Sequence, residues 1–177
     1  MVSNKNFTGY VQVYTGNGKG KTTAALGLAL RALGAGFRVF LGQFIKSSEY
    51  NEIKALRKFE PAVEIAQFGR GCFIKGKPSP EDYQLAQEGF TFCQEKILSG
   101  QFNLVILDEL NLVLHFGLLD LAKVLELLKV RPRHTEIVIT GRYAPPELIE
   151  AADLVTEMRE IKHYFRQGVA AREGIEK

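Results

Sequence analysis

Eight consecutive residues, Gly16-Asn17-Gly18-Lys19-Gly20-Lys21-Thr22-Thr23, contain three glycines, two lysines and two threonines. Glycines let a backbone curl until the unpaired amides at the start of a helix converge on an anion. A lysine then adds a full positive charge, and a threonine hydroxyl is suited to the magnesium ion that accompanies a nucleotide. In this order the residues have the chemistry of a phosphate-binding loop. Gly16 to Thr23 would contact the nucleotide, Lys21 would carry the charge and Thr22 would serve the metal. The spacing is short, since Gly16 and Gly20 enclose only three residues, one fewer than the usual pattern. Thr15 would then take the outer position.

Asp108 and Glu109 follow the apolar run Leu104-Val105-Ile106-Leu107. An acid at the end of a buried strand is the usual partner of a phosphate loop, holding magnesium directly or through water beside the threonine hydroxyl. Thr22, Asp108 and Glu109 are therefore the candidate metal set. Gln43 and Lys46 lie at the end of a second apolar stretch, and Arg142 lies just past a third, where a guanidinium can reach a phosphate or a ribose. Taken singly, each has a plainer reading: a tight connection at the glycines, a solvated Lys46, an Arg142 paired with a surface acid. Their shared position behind apolar strands is what favours a ligand site.

The elements that must carry these groups can be read in order. Tyr10 to Thr15 is the first strand, and a helix from Lys21 to Leu33, apolar almost all round, is expected to be buried against the sheet before Gly34 and Gly36 end it. Arg38 to Ile45 reads as a parallel strand covered on both faces. Ser48 is expected to cap a short helix carrying Ile53, Leu56 and Phe59, stopped by Pro61. A third strand spans Val63 to Phe68. The glycine- and cation-rich segment from Gly69 to Pro78 reads as a working loop. Ser79-Pro80-Glu81-Asp82 is a strong helix start, and Tyr83, Ala86, Phe90, Cys93 and Ile97 then recur at helical spacing, so Cys93 belongs to a core stripe and needs no chemical role. Leu104 to Glu109 and Glu136 to Thr140 are buried strands around an amphipathic helix from Asp120 to Lys129, which Arg131-Pro132 ends. A short helix from Pro145 to Ala151, a last strand from Leu154 to Met158 and a tail expected to pack complete the chain, with His163 structural. Strands alternating with helices give an α/β P-loop (RecA-like) fold: a mostly parallel sheet of five to six strands, helices on both faces, one domain over residues 1–177.

Composition excludes several classes. Hydrophobic residues make up 46% and charged residues 24% of 177, with no apolar run long enough for a membrane span and no hydrophobic block in Met1 to Thr8. A cytoplasmic location and no membrane partner are expected. The net charge of +3 gives no argument for nucleic acid. Cys72 and Cys93 lack metal-binding spacing and read as free thiols.

Together these stretches closely resemble the P-loop type of ATP:corrinoid adenosyltransferase. The resemblance rests on Gly16 to Thr23 with its short spacing, Gln43-Phe44-Ile45-Lys46, Leu107-Asp108-Glu109-Leu110, Arg131-Pro132, Ile139-Thr140-Gly141-Arg142, Lys162-His163, Gly168 and Gly174-Ile175-Glu176. It implies that Co(I) of a reduced corrinoid (cobyrinic acid a,c-diamide, cobinamide or cobalamin) attacks the 5′ carbon of ATP, releasing triphosphate, in adenosylcobalamin biosynthesis or salvage. Lys19, Lys21 and Mg²⁺ would stabilise the departing charge. Thr22 and Glu109, with Asp108, would serve the magnesium, and Asn17 and Arg142 the nucleotide. The corrinoid would lie over the loop from Gly69 to Lys77. There the better-known members carry Gly-Phe-Thr-Trp where this chain has Gly71-Cys72-Phe73-Ile74, which leaves Phe73 as the candidate for covering the lower corrin face. A flavin-dependent reductase or flavodoxin-like electron donor and a homodimer are also implied. Most of the N-terminal extension of those members is missing before Thr8, so the site is expected to be more open or closed by another subunit.

Two other readings remain open from the residues themselves. One is an ATP hydrolase or kinase in which Glu109 polarises water or a hydroxyl. The other is a regulatory module that uses ATP only as a shape switch.

Overall fold

The computed structural model describes residues 7–47, 50–71 and 76–176. Its strands are β1 (Val11–Thr15), β2 (Val39–Phe44), β3 (Val63–Phe68), β4 (Leu104–Asp108), β5 (Glu136–Thr140) and β6 (Leu154–Glu157). They form one sheet in the order β3-β2-β4-β5-β1-β6, and every pairing is parallel. Six strands, all parallel, agree with the expected sheet. β5 lies between β1 and β4, so the phosphate loop and the acid pair leave the sheet one strand apart.

Parallel strands need crossovers, and the helices supplying them cover both faces. On one face, α1 (Lys21–Gly34) and α2 (Asn51–Arg57) lay Ala25, Ala29, Ile53 and Leu56 on Val39, Leu41, Leu104, Ile106 and Val138. On the other, α3 (Pro80–Leu98), α4 (Leu110–His115), α5 (Leu121–Val130) and α6 (Pro146–Ala151) set Phe90, Cys93, Val113, Leu127 and Leu148 against Phe40, Phe44, Val105, Leu107, Ile137 and Ile139. Alternate residues of β2, β4 and β5 thus enter different cores, which explains their nearly continuous hydrophobicity. The Cys93 thiol sits over Gly42, where a Cβ would approach its sulfur to 2.7 Å. Burial pushes that thiol's pKa up, as suits a space-filling role.

The sequence reading needs three corrections. α1 is not buried all round: only Lys21, Ala25, Ala29 and Ala32 are buried, Leu30 is 54% exposed and Leu26 faces a cleft. Alanines let the helix approach the sheet closely, so a narrow stripe suffices. α2 begins after Tyr50, whose side chain does not cap it, and Ser48 lies outside the described residues. α4, six residues directly after β4, was not anticipated. α3 starts as expected, with Ser79 and Asp82 capping each other.

The tail packs through polar groups more than through its apolar side chains. Ile161 is 91% and Phe165 73% exposed, while Tyr164 bonds Glu176, and Arg172 pairs with Glu176 at 3.1 Å. Arg172 and then Tyr164 hold the Glu176 carboxyl down to about 2.

Candidate active site

The carboxyl ends of the strands surround a cleft of about 890 Å³. β1 delivers the loop that forms its floor. Gly16 (φ 95°) and Gly20 (φ 118°) adopt left-handed backbone, and Gly20 is the N-cap of α1. The first intrahelical bond runs from Ala24 N–H to the Gly20 carbonyl at 2.7 Å, so the first-turn amides of Lys21, Thr22 and Thr23 have no helical acceptor. Those residues, with Asn17, Gly18, Lys19 and Gly20, line the cleft, whereas Gly16 lies behind it. The Gly18 amide donates to the Met158 carbonyl at 2.7 Å, and an added Cβ on Gly18 would fall 2.7 Å from that oxygen. The chain after β6 therefore braces the loop from behind.

Lys21 Nζ donates to the carbonyls of Gly16 at 2.8 Å and Gly18 at 2.7 Å. The lysine folds back over its own loop, and its pKa is lowered by burial, opposed by Glu109 and reinforced by Arg142 and Lys46.

Asp108 is the hub beneath the cleft. It is fully buried, and both carboxylate oxygens are engaged: Oδ1 accepts from Thr22 Oγ1 at 2.8 Å and Thr140 Oγ1 at 2.6 Å, and Oδ2 from Gln43 Nε2 at 3.0 Å and Lys46 Nζ at 3.1 Å. Gln43 is in register with Asp108 on the neighbouring strand, and Gln67 on the next strand donates to Gln43 at 2.9 Å. Burial would raise the Asp108 pKa, but Lys46 and the hydroxyls of Thr140 and Thr22 outweigh it and keep the group a carboxylate. Glu109 departs in the other direction. Burial raises its pKa, and Lys46 offsets this only in part. Lys46 has an ammonium held firmly charged, since Asp108 and Glu109 together outweigh its burial.

Arg142 lies on the loop after β5, lines the cleft and makes no ion pair among the described residues, which removes the plain reading of a surface pair. Asn111 Nδ2 donates to the Gly141 carbonyl at 3.0 Å, fixing the start of that loop. Asn111 was missed in the sequence, as were Asn51, Glu52 and Tyr143 of the cleft wall. Of the hub residues, Thr22, Gln43, Lys46 and Asp108 are candidates from the sequence, whereas Thr140, at the end of β5, is not. His163 also lines the cleft, and its Nδ1 accepts from the Phe165 amide at 3.1 Å. Phe73, Cys72 and Lys75 of the expected corrinoid loop lie outside the described residues.

The donors suit magnesium. Thr22 and Glu109 offer hard oxygens on the cleft, and no group of three His, Cys, Asp or Glu is gathered to form an all-protein cage among the described residues. Such a site fits an ion that keeps waters and takes further oxygens from a phosphate.

A parallel α/β sheet with a phosphate loop after β1 and an acid pair after β4 defines a P-loop nucleotide-binding protein. In line with this, the flagellar accessory protein FlaH of Methanocaldococcus jannaschii superposes with a TM-score of 0.58 at 11% identity, over 85% of this chain and 71% of that one, a likeness of fold alone. Residues 7–176 match the family ATP:corrinoid adenosyltransferase BtuR/CobO/CobP, and the chain belongs to that family. A corrinoid adenosyltransferase of Pseudomonas aeruginosa is 38% identical over 95% of this chain and 83% of its own length. That of Escherichia coli K12 is 37% identical, over 95% and 85%. The protein is thus an enzyme that transfers the adenosyl group of ATP to a corrinoid.

Proposed function

We propose that the reaction is attack of Co(I) of a reduced corrinoid on C5′ of ATP. The cobalt–carbon bond forms from the metal's electron pair as the C5′–O bond breaks. Triphosphate leaves with the bonding pair and the cobalt ends as Co(III). The supporting observation is that Glu109, the acid that lines the cleft, is tied to Lys46 at 3.3 Å rather than left free as a base, and the other acid, Asp108, is fully buried. The described cleft is rich in cations that match a leaving triphosphate, namely Lys19, Lys21, Lys46 and Arg142.

In this reading Asn17, Gly18, Gly20 and Thr23 bind the triphosphate through the loop, and Lys21 leaves the Gly16 and Gly18 carbonyls to meet it. Thr22 and Glu109 hold Mg²⁺, with Asp108 acting through the Thr22 hydroxyl whose proton it accepts. The ion supplies charge neutralisation at the departing oxygens. Arg142 contacts the nucleotide beside them. Phe73 covers the lower face of the corrin, so Phe73→Ala should harm transfer to cobalamin, whose lower ligand must be displaced, more than to an incomplete corrinoid. A flavin-dependent reductase or flavodoxin-like protein supplies the electron. A homodimer would bury the exposed Leu154 and Val155 of the edge strand β6 with Ile161 and Phe165. No described helix is long and apolar enough to cross a membrane.

The test combines the protein with ATP, Mg²⁺ and a chemically reduced corrinoid under exclusion of oxygen. The cobalt spectrum should convert to that of an alkylcorrinoid with one triphosphate per adenosyl group. ADP with phosphate would instead support the hydrolase or kinase reading.

A further inference from the structure

The two oxygens that hold the metal in this reading, together with the buried Asp108 carboxylate, already surround a cation. Lys46 Nζ lies 3.4 Å from Thr22 Oγ1, 3.1 Å from Asp108 Oδ2 and 3.3 Å from Glu109 Oε1. A lysine tip is usually free to wander. This one is fixed at its base by an unusual backbone. The Lys46 amide donates to the Phe44 carbonyl at 2.7 Å, closing a three-residue turn on Ile45, which has φ 67°. Left-handed backbone is rare and strained for a β-branched residue, and it persists only where the surroundings over-determine it.

The surroundings do so here. The Ile45 side chain is buried in the core, and its amide donates to the Phe68 carbonyl at 3.0 Å. Behind the turn stands Gly69. A Cβ there would lie 2.2 Å from the carbonyl carbon of Ile45, 2.3 Å from its oxygen and 2.6 Å from the Lys46 nitrogen. Only a residue without a side chain lets the Ile45–Lys46 peptide sit where it does.

We infer that Lys46 is a built-in placeholder for the metal: the strained turn at Ile45, backed by Gly69, aims its ammonium between Thr22, Asp108 and Glu109 and keeps the carboxylates paired until nucleotide and metal arrive together. The incoming metal takes over the Thr22 and Glu109 oxygens, and the displaced ammonium moves toward the phosphates. Metal alone is thereby a poor ligand, because it must displace a charge without bringing one for that charge to meet. Ile45 and Gly69 act as positioning residues, and the inference rests on Thr22 and Glu109 being the magnesium ligands.

The experiment measures binding of Mn²⁺ alone to the nucleotide-free full-length chain, from the electron paramagnetic resonance signal of the free ion. Lys46→Met should bind Mn²⁺ roughly tenfold tighter than wild type or more, since the carboxylates lose their internal counter-ion. Gly69→Ala keeps the net charge but displaces the turn, and should shift affinity the same way by a smaller factor. Lys123→Met, a change of the same net charge on the remote helix α5, should match wild type. Unchanged or weaker Mn²⁺ binding by Lys46→Met overturns the placeholder, and tightening in Lys46→Met with none in a folded Gly69→Ala overturns the role of the turn. Lys46→Met leaves the turn backbone alone, so it decides the placeholder even if Gly69→Ala does not fold. Adenosyl transfer is assayed separately. Its failure alongside the expected Mn²⁺ shifts would sink the reaction reading, whereas transfer with unshifted Mn²⁺ binding would sink this inference alone.

Discussion

The Thr22 hydroxyl, in the first turn of α1, donates to Oδ1 of Asp108 at the end of β4, over 2.8 Å and across the strand between β1 and β4. With its proton so committed, the hydroxyl can turn only lone pairs toward the cleft. Thr22→Val keeps the shape and removes that oxygen, while Asp108 Oδ1 retains Thr140. Adenosyl transfer should fall roughly a hundredfold or more through loss of metal support. The unfolding free energy from urea denaturation should change by no more than about 1 kcal/mol. Steady-state rates at rising Mg²⁺ and a denaturation curve check both.

Lys21 bonds the carbonyls of its own loop, so its loss has two parts. Lys21→Ala should weaken ATP binding by about a hundredfold or more, as expected for removing charged hydrogen bonds to a phosphate. The fold should survive, because truncation to Ala vacates the space between the cleft and the two carbonyls and lets water replace the ammonium there. Calorimetric titration with ATP and a melting curve separate the parts. Near wild-type affinity would remove Lys21 from the phosphate site.

Most of the fold could be read from the chain because the central strands β2, β4 and β5 are short apolar runs with polar residues at their carboxyl ends, and parallel strands covered on both faces have that signature. The loop from Gly16 to Thr23 and the pair Asp108-Glu109 stand out for the same reason, since chemistry-bearing residues follow directly on apolar stretches. The hub around Asp108 was less visible. That Gln43, Thr140 and Thr22 meet one carboxylate depends on the strand order and register, which no local pattern encodes. α1 misled because its leucines suggested burial all round, whereas its alanine stripe does the packing. α4 was missed because six residues are too few for a helical period to show.

Two helical glycines should respond oppositely to the same substitution. Gly27 lies within α1 with no atom within 4 Å of an added Cβ. Gly27→Ala should stabilise by about 0.5–1 kcal/mol through helix propensity and a stiffer unfolded chain. Gly89 lies within α3, where a Cβ would meet the Phe68 ring at 2.5 Å. Phe68 is itself packed against Phe44 and Phe92, so it has little room to yield. Gly89→Ala should destabilise by about 1–3 kcal/mol through overpacking, less the propensity gain. Paired urea denaturations decide the signs.

Asp82 ties the start of α3 to the loop before it, and its contribution should depend on pH in one direction. Its Oδ2 accepts from the Ser79 amide at 2.7 Å and the Ser79 hydroxyl at 2.9 Å, and Arg70 Nε donates to its Oδ1 at 2.9 Å. Burial pushes the carboxyl up, but the Ser79 amide and hydroxyl and the Arg70 guanidinium together outweigh it and hold it below the usual aspartate value. A carboxyl depressed in the folded state stabilises above its unfolded pKa and loses that contribution as pH falls through the folded one. Asp82→Ala should therefore cost about 1 kcal/mol at neutral pH, the usual worth of a capping interaction. The difference between wild type and variant should be constant down to about pH 5, then shrink below the unfolded value near 4. Urea midpoints of both proteins from pH 7 to pH 3 measure it. A gap that widens on acidification would mean that the Asp82 carboxyl is raised in the folded chain and that Arg70 does not hold it.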